Sequence, residues 1–439
     1  MIRTAWVISC AFLAIAAATS TASSREAAEE GAATDDSAPP ETVAASEVEP
    51  SEPPGPGHAA HNREVFLKPH PEMDTLTRGG FGLGKKLRDL GVTSTLNLWI
   101  AYQGNVSGGL SASNDVNGLY WFANHFDLER LVGLPGAAAY VLVEGGWNEG
   151  INQSVGALMN VNGTAVGDEP IGVTRLWYDQ KLFSERLRLR LGKIDVTTEN
   201  FEFHGRSVAF DAMPYANTPR TQFVGAGLVN NASVPFPAAA LAGMLLVEPL
   251  ERWYFAAAGF DRQSDAFDWS YSGAFEEWMV IAETGVVVSM SNPDLCGSYS
   301  IGYWYSTFPG APAGQGVYVG VAQELYREPG TEDEGLGLFA RYGYADRNPS
   351  GIRHYWSLGG EYRGLVPGRD DDTLALGWAQ AFTPGGAFSA PYEGVFEFYY
   401  RAGLTKWLHV SPHIQYVANP GSSDADDAWT LGIRGQITF

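Results

Sequence analysis

Cysteine is nearly absent from this 439-residue sequence, which holds only Cys10 and Cys296. Cys10 falls within an apolar N-terminal stretch that reads as a leader, leaving one thiol and no disulfide framework in the remaining chain. Val7-Ile8-Ser9-Cys10 has the outline of a lipoprotein cleavage box. The apolar run follows Cys10 rather than preceding it, which argues against lipidation. Positive charge is also scarce: 28 Lys and Arg stand against 50 Asp and Glu, for a net charge of −22. That balance excludes the basic surface nucleic acid requires. Beyond the leader, no run approaches the ~20 apolar residues of a membrane-crossing helix.

Catalytic signatures are missing as well. There is no Gly-x-Ser-x-Gly elbow and no His-Glu-x-x-His pair. Gly79 to Lys86 falls one residue short of a phosphate-binding loop, and Lys86 stands where Ser or Thr should hold magnesium. His409 and His413 have helical ligand spacing, but an alternating segment containing Pro412 puts them about 13 Å apart at ~3.3 Å per residue. They cannot share a metal. His204 beside Glu202 has no matching nucleophile and reads as a loop histidine. The expectation is no catalytic residue, no metal and no cofactor.

What is abundant is glycine, at 52 residues, and aromatic side chains, at 13%, with charged residues held to 18%. Many turns, many strands and interfacial aromatic belts would account for this. The clearest strand is Asp427 to Phe439. Trp429, Leu431, Ile433, Gly435, Ile437 and Phe439 alternate with Ala428, Thr430, Gly432, Arg434, Gln436 and Thr438. One face is apolar and one polar, over roughly the 9–11 residues that cross a bilayer as a tilted strand. Such a strand is tolerated in lipid only where every backbone group is paired, so the sheet must close.

The pattern recurs. Val92, Leu96, Leu98, Ile100 and Tyr102 oppose Thr93, Thr95, Asn97, Trp99, Ala101 and Gln103. Leu187, Leu189 and Leu191 oppose Arg186, Arg188 and Arg190, and Leu408, Val410, Ile414 and Tyr416 oppose His409, Ser411, His413 and Gln415. Further strands are expected near 118–130, 137–147, 171–182, 220–229, 238–247, 252–261, 280–290, 297–306, 315–325, 335–344, 353–363, 372–382 and 396–400. That makes seventeen. A bacterial barrel takes an even number, and the Gly-rich, poorly alternating 220–229 stretch is the one to drop. The fold class expected is all-β: a transmembrane antiparallel β-barrel of sixteen strands, with eighteen as the neighbouring even count. The long interruptions at 148–170 and 195–219 are where external or inward-folded loops belong.

The division expected along the chain is a signal peptide over 1–22, an acidic Pro/Ala/Glu-rich disordered linker over 23–74, and the barrel over 75–439. Within the last unit, 76–90 reads as a short amphipathic helix or lead-in. Acidic runs such as Glu332 to Glu334 and Asp370 to Asp372 read as solvated loops.

Four places carry a family resemblance. Leu90-Gly91-Val92 leads through Tyr102 to Asn105-Val106-Ser107-Gly108-Gly109. Phe126 to Gly133 reads FDLERLVG. Leu187 to Lys193 reads LRLRLGK and is followed by Phe201. The tail runs Phe396-Glu397-Phe398-Tyr399-Tyr400, Trp407, Pro412, Gln415 to Gly421, Gly432-Ile433-Arg434 and Phe439. In this order the landmarks resemble the carbohydrate-selective porins of the OprB family, across roughly residues 75 to 439. Phe81 departs from the Trp expected in the opening motif.

The resemblance implies facilitated diffusion of mono- and small oligosaccharides across a Gram-negative outer membrane, without cofactor or energy source. Sugar would be met by aromatic rings on its apolar faces and by polar side chains at its hydroxyls. With period two, the lumenal candidates are Arg175, Trp177 and Asp179 on one strand and Arg188 and Arg190 on its neighbour. Glu397, Tyr399, Arg401, Trp407 and Gln415 would line the wall near closure, beside Arg434 and Gln436. Arg188 and Arg190 read equally well as neutralising carboxylates along the wall. A single Trp or Tyr also fits an interfacial girdle. The partners expected are sugars, membrane lipid and lipopolysaccharide, and the barrel-assembly machinery through Phe439, with a monomer or homotrimer as the assembly. Two other readings stay open: a general small-solute porin, and an envelope scaffold anchored by the barrel.

Overall fold

The computed structural model describes residues 75–269, 273–289, 295–331 and 333–439. The leader and the acidic linker expected over 23–74 lie outside the described residues.

Alternation along the sequence becomes sixteen antiparallel strands closed on themselves. In chain order the strands are β1 (Val92–Ser107), β2 (Ser113–Asp127), β3 (Ala137–Trp147), β4 (Gly172–Leu182) and β5 (Leu187–Ile194). Two short strands, β6 (Phe201–Phe203) and β7 (Arg206–Val208), pair only with each other, as a separate sheet that does not join the wall's ladder. The wall resumes with β8 (Ala240–Leu250), β9 (Trp253–Asp261), β10 (Trp278–Ser289), β11 (Cys296–Phe308), β12 (Ala311–Arg327) and β13 (Gly335–Ala345). It ends with β14 (His354–Arg363), β15 (Thr373–Phe382), β16 (Tyr392–Thr405), β17 (Leu408–Ala418) and β18 (Ala428–Thr438).

Closure is by β1 on β18, in a register that pairs Asn97 with Thr438, Ala101 with Arg434 and Asn105 with Thr430. No wall edge is left for lipid to solvate, as the bilayer demands. β18 behaves as its alternation requires: Trp429, Leu431 and Ile433 are exposed on the outside, while Thr430, Arg434, Gln436 and Thr438 are buried. In β1, Leu96, Ile100 and Tyr102 face out, opposite buried Asn97, Trp99 and Gln103. The dropped segment, 220–229, is indeed no wall strand; it ends in a single helical turn, Ala226–Val229, inside the barrel.

One end of the barrel carries both β1's start and β18's finish and has mostly short connections, such as 183–186, 251–252 and 406–407. The other end carries the longer ones, so by the usual asymmetry of such barrels it faces outward and the short-turn end faces the periplasm. Two of the outer connections, 148–171 and 195–239, turn back into the lumen and fill it. Glycines on the inner wall make room for them. A Cβ on Gly377 would come 2.9 Å from Leu228 and 3.2 Å from Phe223. A Cβ on Gly337 would fall within the ring of Tyr215, and one on Gly343 would collide with Ser233.

Candidate functional site

The β4–β5 pairing places Asp179 opposite Arg190 and Lys181 opposite Arg188. Asp179 accepts from Arg188 Nε at 2.7 Å and from Arg190 Nε at 3.0 Å. Arg190, fully buried, also donates to the carbonyls of Glu199 and Asn200, which belong to the inward segment. Its guanidinium lies 4.1 Å from the centroid of the Trp177 ring, and Trp177 in turn stacks on Tyr140 with centroids 4.9 Å apart. An indole so engaged, and only 3% exposed, offers no free face to a sugar. Trp177 therefore buttresses Arg190 rather than forming a platform.

Two residues before Trp177 on β4, Arg175 binds Glu144 of β3 and reaches Asp195 at 2.6 Å. Glu144 also takes Arg220 of the inward segment at 2.9 Å. The Asp195 carboxyl titrates below the usual carboxylate range: its burial opposes ionisation, and the Arg175 guanidinium together with the hydrogen bonds from Thr197 outweighs that. Glu199 nearby has less compensation. Burial pushes it up to about 7, with Arg175 pulling it down and Asp195 pushing it up.

The opposite wall is built differently. Glu397 accepts from the backbone amides of Val224 and Gly225 at 2.7 and 2.8 Å and from Gln415 at 3.0 Å. Gln415 donates to the Val161 carbonyl at 2.8 Å. Arg434 donates to the carbonyls of Pro219 (2.9 Å) and Gln222 and lies 5.2 Å from the Tyr399 ring centroid. Tyr399 meets Phe223 edge-on at 5.2 Å and donates to Glu361. Arg401 reaches Gln436 at 3.3 Å, near the periplasmic rim. Trp407 departs from its expected place on the wall: β16 ends at Thr405 and β17 begins at Leu408, so Trp407 sits in the turn. The Thr405 hydroxyl accepts from the Trp407 and Leu408 amides, which closes that turn before the alternation can carry Trp407 inward.

Sequence reasoning missed equally important wall residues. Arg341 of β13 donates to the carbonyls of Leu228 (2.9 Å), Val229 (3.2 Å), Asp211 and Ala216. Glu393 of β16 accepts from the amides of Leu158, Met159 and Gly421. Arg206 pairs with Glu324 of β12 at 3.2 Å. Arg341 shares the inward phase of β13 with Phe339, and that signal was available to the same period-two argument.

Two cavities flank the inward segments. The outer one, about 510 Å³, is bordered by Asn160, Asn230, Asn231, Asn348, Phe236 and Arg262, among others. The inner one, about 760 Å³, opens towards the periplasmic end. Its border carries Arg88, Arg130, Lys181, Arg188 and Arg190 against Asp127, Glu129, Asp179, Glu185 and Glu202. Five cations face five carboxylates. Such a border offers donors and acceptors, and with His125 and His204 neutral its formal charges sum to zero.

A closed sixteen-strand wall with its lumen narrowed by inward loops is a channel architecture, and one match decides which kind. The family model for carbohydrate-selective porins, OprB family, matches residues 115–439. The chain belongs to the carbohydrate-selective porin family. Three of the four landmark stretches lie within the matched region, and the Leu90–Gly109 stretch precedes it. Porin B of Pseudomonas aeruginosa is 22% identical over 445 residues, covering 88% of this chain and 95% of that relative. The high-pH structure of Pseudomonas putida OprB superposes with a TM-score of 0.72 at 21% identity, over 84% of this chain and 99% of that one. The low-pH structure gives 0.55 at 19% identity. These two likenesses speak to the fold. As a porin of this family, the chain is a channel protein of the Gram-negative outer membrane.

Proposed function

We propose that this porin passes neutral mono- and small oligosaccharides by facilitated diffusion, from the outer Asn-lined cavity past the inward segment to the charge-balanced inner cavity. The observation that carries this is the composition of the inner border, where cations and carboxylates are equal in number and interleaved. A sugar hydroxyl both donates and accepts, so such a surface can replace part of its hydration at every orientation. Contacts of that strength are many and individually weak, which lets the solute leave. Arg188 is the predicted solute contact on β5, since its side chain is 17% exposed where Arg190 is fully covered. The remaining candidates, Arg175, Asp179, Arg190, Glu397, Tyr399, Gln415 and Arg434, act in this reading by holding the inward segments that shape the passage.

The test is planar-bilayer conductance of the purified protein titrated with neutral sugars and with amino acids of similar size. Saturable block by sugars and none by amino acids supports the proposal. Equal, unsaturable behaviour towards both would make it a general small-solute channel. For assembly, Phe439 is the proposed recognition element; its amide donates to the Leu96 carbonyl at 2.9 Å. Phe439→Ala should slow insertion in cells while leaving single-channel behaviour unaltered.

A further inference from the structure

The Gly-rich, basic stretch before β1 gives the channel reading only Arg88, yet it is firmly built throughout. The Leu76 amide donates to the Thr438 carbonyl at 2.8 Å, and the Asp127 amide to the Gly91 carbonyl at 2.8 Å. Residues 76–90 are thus tied to β18 at one end and to β2 at the other, at the periplasmic rim of β1. Between the ties, Gly79, Gly80 and Gly82 adopt positive φ of 74°, 63° and 88°, turning the chain sharply into helix α1 (Leu83–Asp89).

The side chains this produces are uncovered. Phe81 is 91% exposed, Leu83 58% and Leu90 51%. Leu83, Leu87 and Leu90 fall on one side of α1 by helical spacing. The neighbouring helix α2 (Leu128–Val132), whose Arg130 lies against Gly91, adds Val132 at 63%. Among these apolar groups stand Arg78, Lys85 and Lys86, none in an ion pair among the described residues. Residues 76–90 hold four cations (Arg78, Lys85, Lys86, Arg88) and one carboxylate (Asp89), a net +3 in a chain of −22.

We propose that this rim docks on anionic phospholipid headgroups of the periplasmic leaflet, with Phe81, Leu83 and Leu90 set into the acyl boundary and Lys85 and Lys86 on the phosphates. Exposed apolar groups beside unpaired cations are what an interfacial segment presents. The position fits too, because β1 continues outward from this rim with Leu96 and Ile100 exposed to lipid. Charge complementarity selects anionic over zwitterionic heads, at roughly fivefold in partition per lysine.

The experiment uses the full chain with Cys296→Ser and Leu83→Cys, spin-labelled and reconstituted in phosphatidylcholine vesicles with and without phosphatidylglycerol. The same chain without the Leu83→Cys change sets the background. Expected is a label accessible to oxygen and shielded from a water-soluble nickel reagent only when phosphatidylglycerol is present. Adding Lys85→Glu with Lys86→Glu should cut that partition by roughly 25-fold or more. Heat-modifiable migration confirms that each variant is a folded barrel. A label that stays water-accessible in both lipids, or immersion indifferent to the two lysines, overturns the proposal. So does retention of the full chain on purified peptidoglycan sacculi, lost in the double variant, with no lipid preference; that result would assign the rim to the cell-wall polymer.

Discussion

The two walls that grip the inward segments do so in different currencies of hydrogen bonding. On β4 and β5, charge meets charge: Asp179 takes both Arg188 and Arg190, and Arg175 is shared between Glu144 and Asp195. On β16 to β18, charge meets backbone: Glu397 holds two amides, Glu393 three, and Arg434 two carbonyls. The first wall borders the inner cavity; the second is dry. A charged side chain that spends itself on a loop's backbone fixes the loop's path and leaves nothing for a solute. On the charged wall Arg188, balanced by Asp179, keeps an exposed edge, with 17% of its side chain uncovered. On the proposed function, the difference separates residues that shape the pore from the one, Arg188, that would meet what passes through it.

The sharpest way to break this contrast is to cut the backbone grip. Glu397→Ala orphans the Val224 and Gly225 amides in a buried site, at a cost of about 2–5 kcal/mol. The expected outcome is a lower unfolding midpoint in detergent together with larger, noisier single-channel conductance as residues 219–225 detach. Unchanged conductance would mean that the segment is held elsewhere, with Arg341 the next suspect. Overpacking the same side is the gentler version. Gly337→Leu puts a side chain where the Tyr215 ring lies, at about 1–3 kcal/mol, and should alter conductance without preventing closure of the wall.

The charged wall carries a pH prediction of its own. In the folded chain Glu199 titrates at about 7, whereas its ordinary value is 4.5. Between those values the folded state binds the additional proton, so stability falls as pH rises through this window. Glu199→Gln should flatten the dependence. Denaturant midpoints at pH 5 and pH 8, for the parent and the variant, measure it; parallel curves would show that Glu199 does not ionise in that range.

The wall was legible because a period of two needs no partner to be read. β3 was expected at 137–147 and runs from Ala137 to Trp147; the strand of Asp427 to Phe439 differs from β18 by a residue at each end. Direction was legible for the same reason, and Arg175, Arg190, Gln415 and Arg434 all point inward. What each touches was not. Arg434's carbonyls lie 212 and 215 positions away in the sequence, and Glu397's amides 172 and 173. The inward segments have no periodicity to announce their course. Their backbone groups need partners once water is excluded, and the wall supplies them. Trp407 failed for the converse reason: alternation was extended through a two-residue turn that the Thr405 hydroxyl closes.

The smallest expected effect on stability is the most telling for transport. Arg188→Ala removes a partly exposed partner from Asp179 but leaves Arg190 in place, still paired with that carboxylate and tied to the inward segment. Because Asp179 keeps one guanidinium, its burial remains compensated, and the loss should stay under about 1 kcal/mol. The inner border then holds four cations against five carboxylates, so cation preference in bilayers should rise. Sugar block should weaken while open-channel conductance changes little, since no loop is released. Arg190→Ala is the contrasting variant. It strips Asp179 of its buried partner and frees the Glu199 and Asn200 carbonyls, so both stability and conductance should change. If the two substitutions gave the same electrical signature, the distinction between meeting the solute and shaping its path would collapse on this wall.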